Sequence, residues 1–365
     1  MRLKSIEVLN FRNLSGSISF GDGLNIISGL NGQGKTNWLE AISLLASTRS
    51  FRTSKLNEAI RFNEESAFVS GSVRESPTIV RDLRVILRGG TKSLMLNGKK
   101  EPAHQYLGHL HTVVFNSDKL EIVRGLPEHR RRFLDDGIVA LHPPFVRVLA
   151  DYGRVIKQKT SLLLSLSEGT CSPEEIAAAL DPWNQQLINL GARIHKSRVR
   201  FVERIKETLE KKLFADEELT VRYRSSMEGK GELGNYLELF AERLKLRLTA
   251  EIAAGHCLVG PHRDDLEIMF DGHDLRKFGS AGQQRSALLL LQLANIAVYH
   301  TTRGDYPLFL LDDIDAELDY LRIGKLLDYL RDKTQTFVTT SKDSFIERFG
   351  SDARCFKINA GIAEI

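Results

Sequence analysis

Short, apolar, β-favouring runs recur through the first third of the chain, at Ser5 to Leu9, Leu24 to Ile27, Ala67 to Val73, Leu83 to Leu87 and Ser93 to Leu96. They predict strands, with Asn97-Gly98 as a tight turn, and the run Trp38 to Leu45 has the spacing of a helix among them. From about 120 to 254 the period lengthens. Ala140 to Leu166, Pro173 to Leu180, Trp183 to Phe214 and Tyr236 to Ala253 have helical spacing, interrupted at Pro143-Pro144, Pro173 and Pro182 and by the polar stretch Gly229 to Gly234. After 255 the β-type pattern returns. Leu266 to Phe270 ends in an Asp271-Gly272 turn, a long apolar helix starts at Ala281, strands follow at Leu308 to Leu311 and Thr336 to Thr339, and a helix lies near Leu321 to Leu330. The simplest architecture is an α/β domain made from both chain ends, residues 1–115 with 255–365, carrying a mainly helical insertion over 116–254. Prolines and the Gly229 to Gly234 stretch interrupt any sustained heptads, so no long coiled coil is expected.

Composition narrows the class. The 365 residues, 42% hydrophobic and 27% charged, describe a globular chain of two to three domains that buries a sizeable core, which excludes disorder. Net charge is only +4, so any nucleic-acid binding must rest on local clustering. Cys171, Cys257 and Cys355 are widely spaced and form no C-x-x-C pair, which fits reduced core residues of a cytoplasmic protein. The charged N-terminus does not read as a signal peptide. The most apolar run, Ala287 to Tyr299, contains Gln292 and Asn295 and is too short to span a bilayer, so no membrane partner is expected.

The sharpest chemistry lies between the second strand and the first helix. Gly29-Leu30-Asn31-Gly32-Gln33-Gly34-Lys35-Thr36 is a full G-x-x-x-x-G-K-T phosphate loop. Glycines let the backbone curl so that N–H groups face a β-phosphate, and the helix N-terminus adds its partial positive charge. Lys35 would bridge the β- and γ-phosphates of ATP, and Thr36 would hold Mg²⁺. Leu308 to Leu311 runs into Asp312-Asp313. There Asp312 would bind the metal, directly or through water, while Asp313 would orient or deprotonate the attacking water. A strand running into an acidic loop is the plainer reading, and the phosphate loop decides against it. Ser280-Ala281-Gly282-Gln283-Gln284-Arg285 opens a helix with a hydroxyl, N–H groups and a positive end suited to a γ-phosphate, although Ser is also a common structural cap.

Phosphate loop, S-A-G-Q-Q-R and L-L-D-D with A-E-L-D downstream together resemble the ATP-binding-cassette ATPases, of the kind related to SMC and Rad50 heads. The match is closer to the RecF family of bacterial DNA repair proteins. It is carried by Leu9-Asn10-Phe11-Arg12-Asn13, the loop itself, Pro127 with Arg130 to Asp135, Gly260 to Asp265, Ser280 to Arg285 and Leu310 to Asp319. The resemblance implies a P-loop head with a helical lobe II, Arg12 and Asn13 beside the ATP, and Ser280 to Gln284 touching the ATP of a second copy. It also implies a weak, DNA-dependent ATPase that forms an ATP-dependent homodimer at single-strand gaps and single-strand/double-strand junctions. With RecO and RecR such a protein helps load recombinase in recombinational repair, replication-fork repair and the SOS response. The chain departs from the wider pattern at Ala316 for Ser, at Ser117 for Pro, and at Asp313, where cassette ATPases in general carry Glu. Thr339-Thr340 stands at the position of the cassette switch histidine, so a histidine-dependent hydrolysis step is not supported.

Rival readings are a transporter subunit, whose loop and signature lie much closer together, an SMC-like or Rad50-type head, which needs long heptads, and a non-enzymatic scaffold, which has no need of Lys35, Thr36, Asp312, Asp313 and Ser280 together. For DNA, Arg193, Lys196, Arg200, Arg204 and Lys211 would share one helix face beside an apolar stripe of Leu187, Leu190, Ile194, Phe201, Ile205 and Leu209. Arg130 to Arg132 could meet DNA or hold Asp135 or Asp136. His262 could be a metal ligand or belong to a hydrogen-bonded structural cluster.

Overall fold

The computed structural model describes residues 1–167, 173–212 and 218–364. At its centre is a six-stranded sheet in the order Ile362–Glu364, Arg354–Asn359, Leu24–Ser28, Thr336–Thr340, Leu308–Leu311, Thr112–Phe115. All neighbours run parallel except the hairpin at the Ile362–Glu364 edge. Leu308–Leu311 and Thr336–Thr340 are buried along their whole length, as parallel strands covered on both faces must be.

A second, antiparallel sheet runs Leu14–Ser19, Arg2–Phe11, Ser66–Arg74, Val80–Arg88, Thr91–Leu96, Lys99–Lys100. The phosphate-loop helix, Lys35–Ser47, packs against strands of both sheets, and Trp38, Leu39, Ile42, Leu44 and Leu45 are fully enclosed in the core they share. This explains why the helix is buried nearly all round rather than along one stripe. A Cβ at Gly71 would come within 2.5 Å of the Leu45 side chain, so the helix can approach that strand only over a glycine.

Helices Pro127–Leu141, Phe145–Ser167, Pro173–Glu210, Tyr236–Leu246 and Leu248–Ala254 form the helical part, sharing a second core with the helix Ala281–Arg303. An antiparallel pair, Leu219–Arg224 with Asp265–Phe270, lies on the long helix and joins residues from either side of position 255. The chain does break between Leu141 and Phe145, at the paired prolines. Three expectations need correction. Pro182 does not interrupt the helix Pro173–Glu210; Ala178 and Pro182 are both exposed, so the carbonyl deprived of its N–H partner can bond to water. Tyr236 to Ala253 is two helices hinged at Arg247. Leu14–Ser19, Thr112–Phe115, Leu219–Arg224, Arg354–Asn359 and Ile362–Glu364 are among the strands that the pattern did not predict. Cys171 and the predicted helix end at Phe214 lie outside the described residues. No helix among the described residues is long and apolar enough to cross a membrane.

Candidate nucleotide site

Strand Leu24–Ser28 feeds the loop Gly29 to Gly34, and helix Lys35–Ser47 leaves it. Gly29 has φ 150°, and a Cβ there would stand 2.5 Å from the Ile358 carbonyl oxygen, so glycine is required where the loop crosses the neighbouring strand. The C-terminal hairpin braces the loop from outside. Gln33 accepts the Ala360 N–H through Oε1 (2.6 Å) and the Gly361 N–H through its carbonyl (2.8 Å). Asn13 donates to the same Gln33 carbonyl (3.3 Å) and accepts from the Asn37 amide (2.7 Å), which sets it against the loop.

Lys35 is buried, and its ammonium donates to the carbonyls of Gly29 (2.8 Å) and Leu30 (3.0 Å). Burial pulls its pKa down, while the carboxylates of Asp313, Asp312 and Asp315 act in the opposite sense. Phosphate oxygens would replace two neutral acceptors by charged ones, a stronger bond for the same donor.

The acidic pair sits opposite. The Asp312 N–H donates to the Phe115 carbonyl (2.9 Å), and one oxygen of its buried carboxylate, Oδ1, accepts hydroxyls from Thr36 (2.9 Å) and Thr339 (2.7 Å). Burial raises its pKa against those two hydrogen bonds. Thr36 and Asp312 thus offer adjacent hard oxygen donors, the donor set Mg²⁺ prefers. Asp313 is exposed and has φ 50°, a conformation uncommon for a residue with a side chain. Its N–H donates to Thr339 Oγ1 (2.8 Å). Burial and then the neighbouring Asp315 raise the Asp313 pKa, with Lys35 opposing. One hydroxyl, Thr339, therefore fixes both acids. From sequence this residue registered only as the absence of a histidine.

Ser280 caps the helix Ala281–Arg303 through a reciprocal pair. Its hydroxyl accepts the Gln283 N–H (3.2 Å), and Gln283 Oε1 accepts the Ser280 N–H (2.9 Å). Ser280, Ala281 and Gly282 are exposed, and Gln283 and Gln284 are half-buried. Among the described residues none of Ser280 to Gln284 is hydrogen-bonded to the loop Gly29 to Thr36. Arg285 pairs with Glu317 (2.7 Å), tying this helix to the segment that follows Asp313.

Other predicted residues separate into braces and free cations. Arg12 grips the buried Glu40 with two nitrogens (2.9 and 3.1 Å) and donates to the Glu58 carbonyl (2.7 Å). Arg130 is buried and bidentate to Asp265 (2.7 and 3.0 Å), so it is not available to DNA and holds neither Asp135 nor Asp136. Arg131 donates to the Asp264 carbonyl (2.8 Å), and Arg132 stands 3.8 Å from Asp136. Asp135 belongs instead to Arg198, a buried residue of the helix Pro173–Glu210 that the basic face did not include. His262 is held by Tyr152 (2.8 Å) and faces the Cys257 carbonyl (3.2 Å), and burial pushes it down to about 4. It is a neutral, structural histidine. The described residues contain no group of three or more His, Cys, Asp or Glu placed to hold a metal. Arg193, Lys196, Arg200 and Arg204 are exposed on one face of Pro173–Glu210, while Leu187, Ile194, Phe201 and Ile205 are buried on the other. Arg204 also reaches Thr302 (3.2 Å).

A phosphate loop and acidic strand end assembled on one side, with a serine-capped helix turned outward on the other, define the head of an ATP-binding-cassette ATPase in the P-loop class. Residues 2–364 match the RecF/RecN/SMC N terminal domain, and the chain belongs to the RecF family within it, at 35% identity over 99% of its length to the DNA replication and repair protein RecF of Geobacillus kaustophilus (98% of that protein). Its fold agrees with the solved structure of the recombination mediator protein RecF-ATP in the RecFOR pathway, with TM-score 0.89, 35% identity, and 99% of this chain and 96% of that one covered. The SMC head bound to the C-winged helix domain of ScpA shares the fold alone, at 16% identity and TM-score 0.55, over 100% of this chain and 96% of that one.

Proposed function

We propose that this protein is an ATP-driven switch that binds DNA during recombinational and gap repair. One observation carries the reading. Lys35, Thr36, Asp312 and Asp313 are organised within the chain, whereas the cap of helix Ala281–Arg303 is exposed and bonds to none of the loop. A second copy, turned head to head, would present Ser280 to Gln284 to the γ-phosphate and complete each site. The lobe boundaries, residues 1–115 with 255–365 and 116–254, belong to the same proposal.

In the ATP state Lys35 exchanges the Gly29 and Leu30 carbonyls for β- and γ-phosphate oxygens. Asn13 holds the loop through the Gln33 carbonyl, and Arg12 holds the helix that leaves it through Glu40; both would stand beside the ATP. Thr36 and Asp312 would hold Mg²⁺, which supplies charge neutralisation to the phosphate oxygens. Asp313 orients the water, with Thr339 setting its backbone. A side chain one methylene shorter than glutamate reaches less far, which suits a slow, DNA-stimulated hydrolysis that resets the dimer. Arg193, Lys196, Arg200 and Arg204 would follow DNA phosphates. The family relationship supports gapped and junction DNA as the target, and RecO and RecR as partners in loading recombinase.

Sedimentation of the purified chain with and without ATP and Mg²⁺, and with and without gapped duplex at fixed salt, tests this. A monomer-to-dimer shift that needs ATP and strengthens with DNA is expected. Nucleotide binding without either dimer or DNA complex would leave the ATPase head standing and remove the switch.

A further inference from the structure

A cavity of about 610 Å³ opens at the far end of the phosphate-loop helix, remote from the loop. The 13 residues of that helix put about 20 Å between them, at 1.5 Å per residue. Apolar wall comes from side chains such as Val114, Phe133 and Ala140. Two residues break that character. Gln292 and Asn295, three positions apart on one face of Ala281–Arg303, line the cavity while only 3% and 9% exposed. Neither amide has a hydrogen-bond partner among the described residues. Both interrupt an otherwise apolar helical run and line the cavity.

The same cavity is lined by Arg49, Lys92, Lys119 and Arg132. Their acidic company is smaller. Asp136 is shared by Arg49 (3.0 Å) and Arg132 (3.8 Å), Asp118 lies nearby, and Glu121 is occupied by Arg124 (2.9 Å). Lys92 donates only to the Thr48 carbonyl (2.6 Å) and hydroxyl (2.9 Å), neutral acceptors that an anion can replace. The site therefore combines an apolar slot, two amides with free donors and acceptors, and a surplus of cations.

We propose that this cavity binds a nucleoside 5′-phosphate at a site separate from the phosphate loop. The flat base fills the apolar slot, its polar edge meets Gln292 and Asn295, and the phosphate is taken by Arg49, Lys92 and Arg132. Amides match base edges because each carries both donor and acceptor, and the cavity falls in the range of roughly 300–1,000 Å³ usual for such ligands. Two sources share this chemistry, a free mononucleotide and an unpaired nucleotide of a DNA strand.

Equilibrium dialysis of the Lys35→Ala protein, in which the phosphate loop is disabled, separates them. The probes are the four deoxynucleoside 5′-monophosphates and, in a second arm, 5′-phosphorylated octathymidylate at fixed salt. Expected is one monophosphate bound per chain for at least one base, weakened ten-fold or more by Gln292→Leu with Asn295→Leu and, independently, by Arg132→Gln. Octathymidylate binding alone, with the same losses, assigns the site to a DNA strand. Since the amides satisfy no partner, the leucine variants should melt no lower than their parent, so a loss of binding is not unfolding. If neither probe binds, or if binding ignores both sets of substitutions, the proposal is overturned.

Discussion

The two halves of the nucleotide site differ in how far a single chain has finished them. On the phosphate-loop side the principal side chains have partners already: Lys35 on two carbonyls, Thr36 and Thr339 on one carboxylate oxygen, Gln33 on the C-terminal hairpin. On the signature side, Ser280 bonds only within its own helix cap and faces water. The first half is rigid before ATP arrives and loses little entropy on binding it. The second is an exposed helix end satisfied only by its own reciprocal cap. This division suits a molecule in which binding the nucleotide and meeting a second copy are separate events.

The largest effect should come from the finished half. Lys35→Ala removes two charge-assisted bonds of about 1.5–3 kcal/mol each, so ATP affinity should fall about 10²–10⁴-fold; affinity within three-fold of the parent, by equilibrium dialysis, would show the loop is not the site. Asp313→Asn should keep ATP and cut turnover by about 100-fold, leaving a persistent dimer in sedimentation; hydrolysis at the parental rate would remove Asp313 from the chemistry. The open half is tested by mixing. Ser280→Ala should leave ATP binding to the monomer intact and reduce turnover by about ten-fold, for a hydrogen bond worth about 1.5 kcal/mol to a charged group. An equal mixture of Ser280→Ala and Lys35→Ala chains should recover activity above either alone, because the mixed dimer holds one complete site. No recovery would mean that the halves do not combine between copies. Smallest is the DNA face, where each of Arg193, Lys196, Arg200 and Arg204 changed to Gln should flatten the slope of log affinity against log salt by about 0.9 or less. Slopes identical to the parent would place DNA elsewhere.

What the sequence disclosed follows the same division. The phosphate loop and Asp312-Asp313 were legible because each is a contiguous string bound to one local geometry, strand to loop to helix or strand to acid. Thr339 was not, since its role as the hydroxyl between both acids exists only once Thr336–Thr340 is laid beside Leu308–Leu311. Leu219–Arg224 escaped for a related reason: a six-residue strand in helical surroundings is stabilised by pairing with Asp265–Phe270, and single-strand propensity carries little of that. Among the arginines, charge alone could not separate the exposed Arg193 and Arg200 from Arg198, which the fold buries against Asp135. Pro182 misled because the rule against proline in helices assumes a dry carbonyl.

The central sheet places Leu24–Ser28 between Thr336–Thr340 and Arg354–Asn359, strands made more than 300 residues later. A ribosome adding roughly 5–20 residues per second must therefore work for about 15–60 s after finishing the phosphate loop before that strand gains either neighbour. Until then the nascent chain carries the phosphate-loop sequence without the two strands that shape it. The strand that feeds the phosphate loop is therefore flanked on both sides only after residues 336–359 have been made.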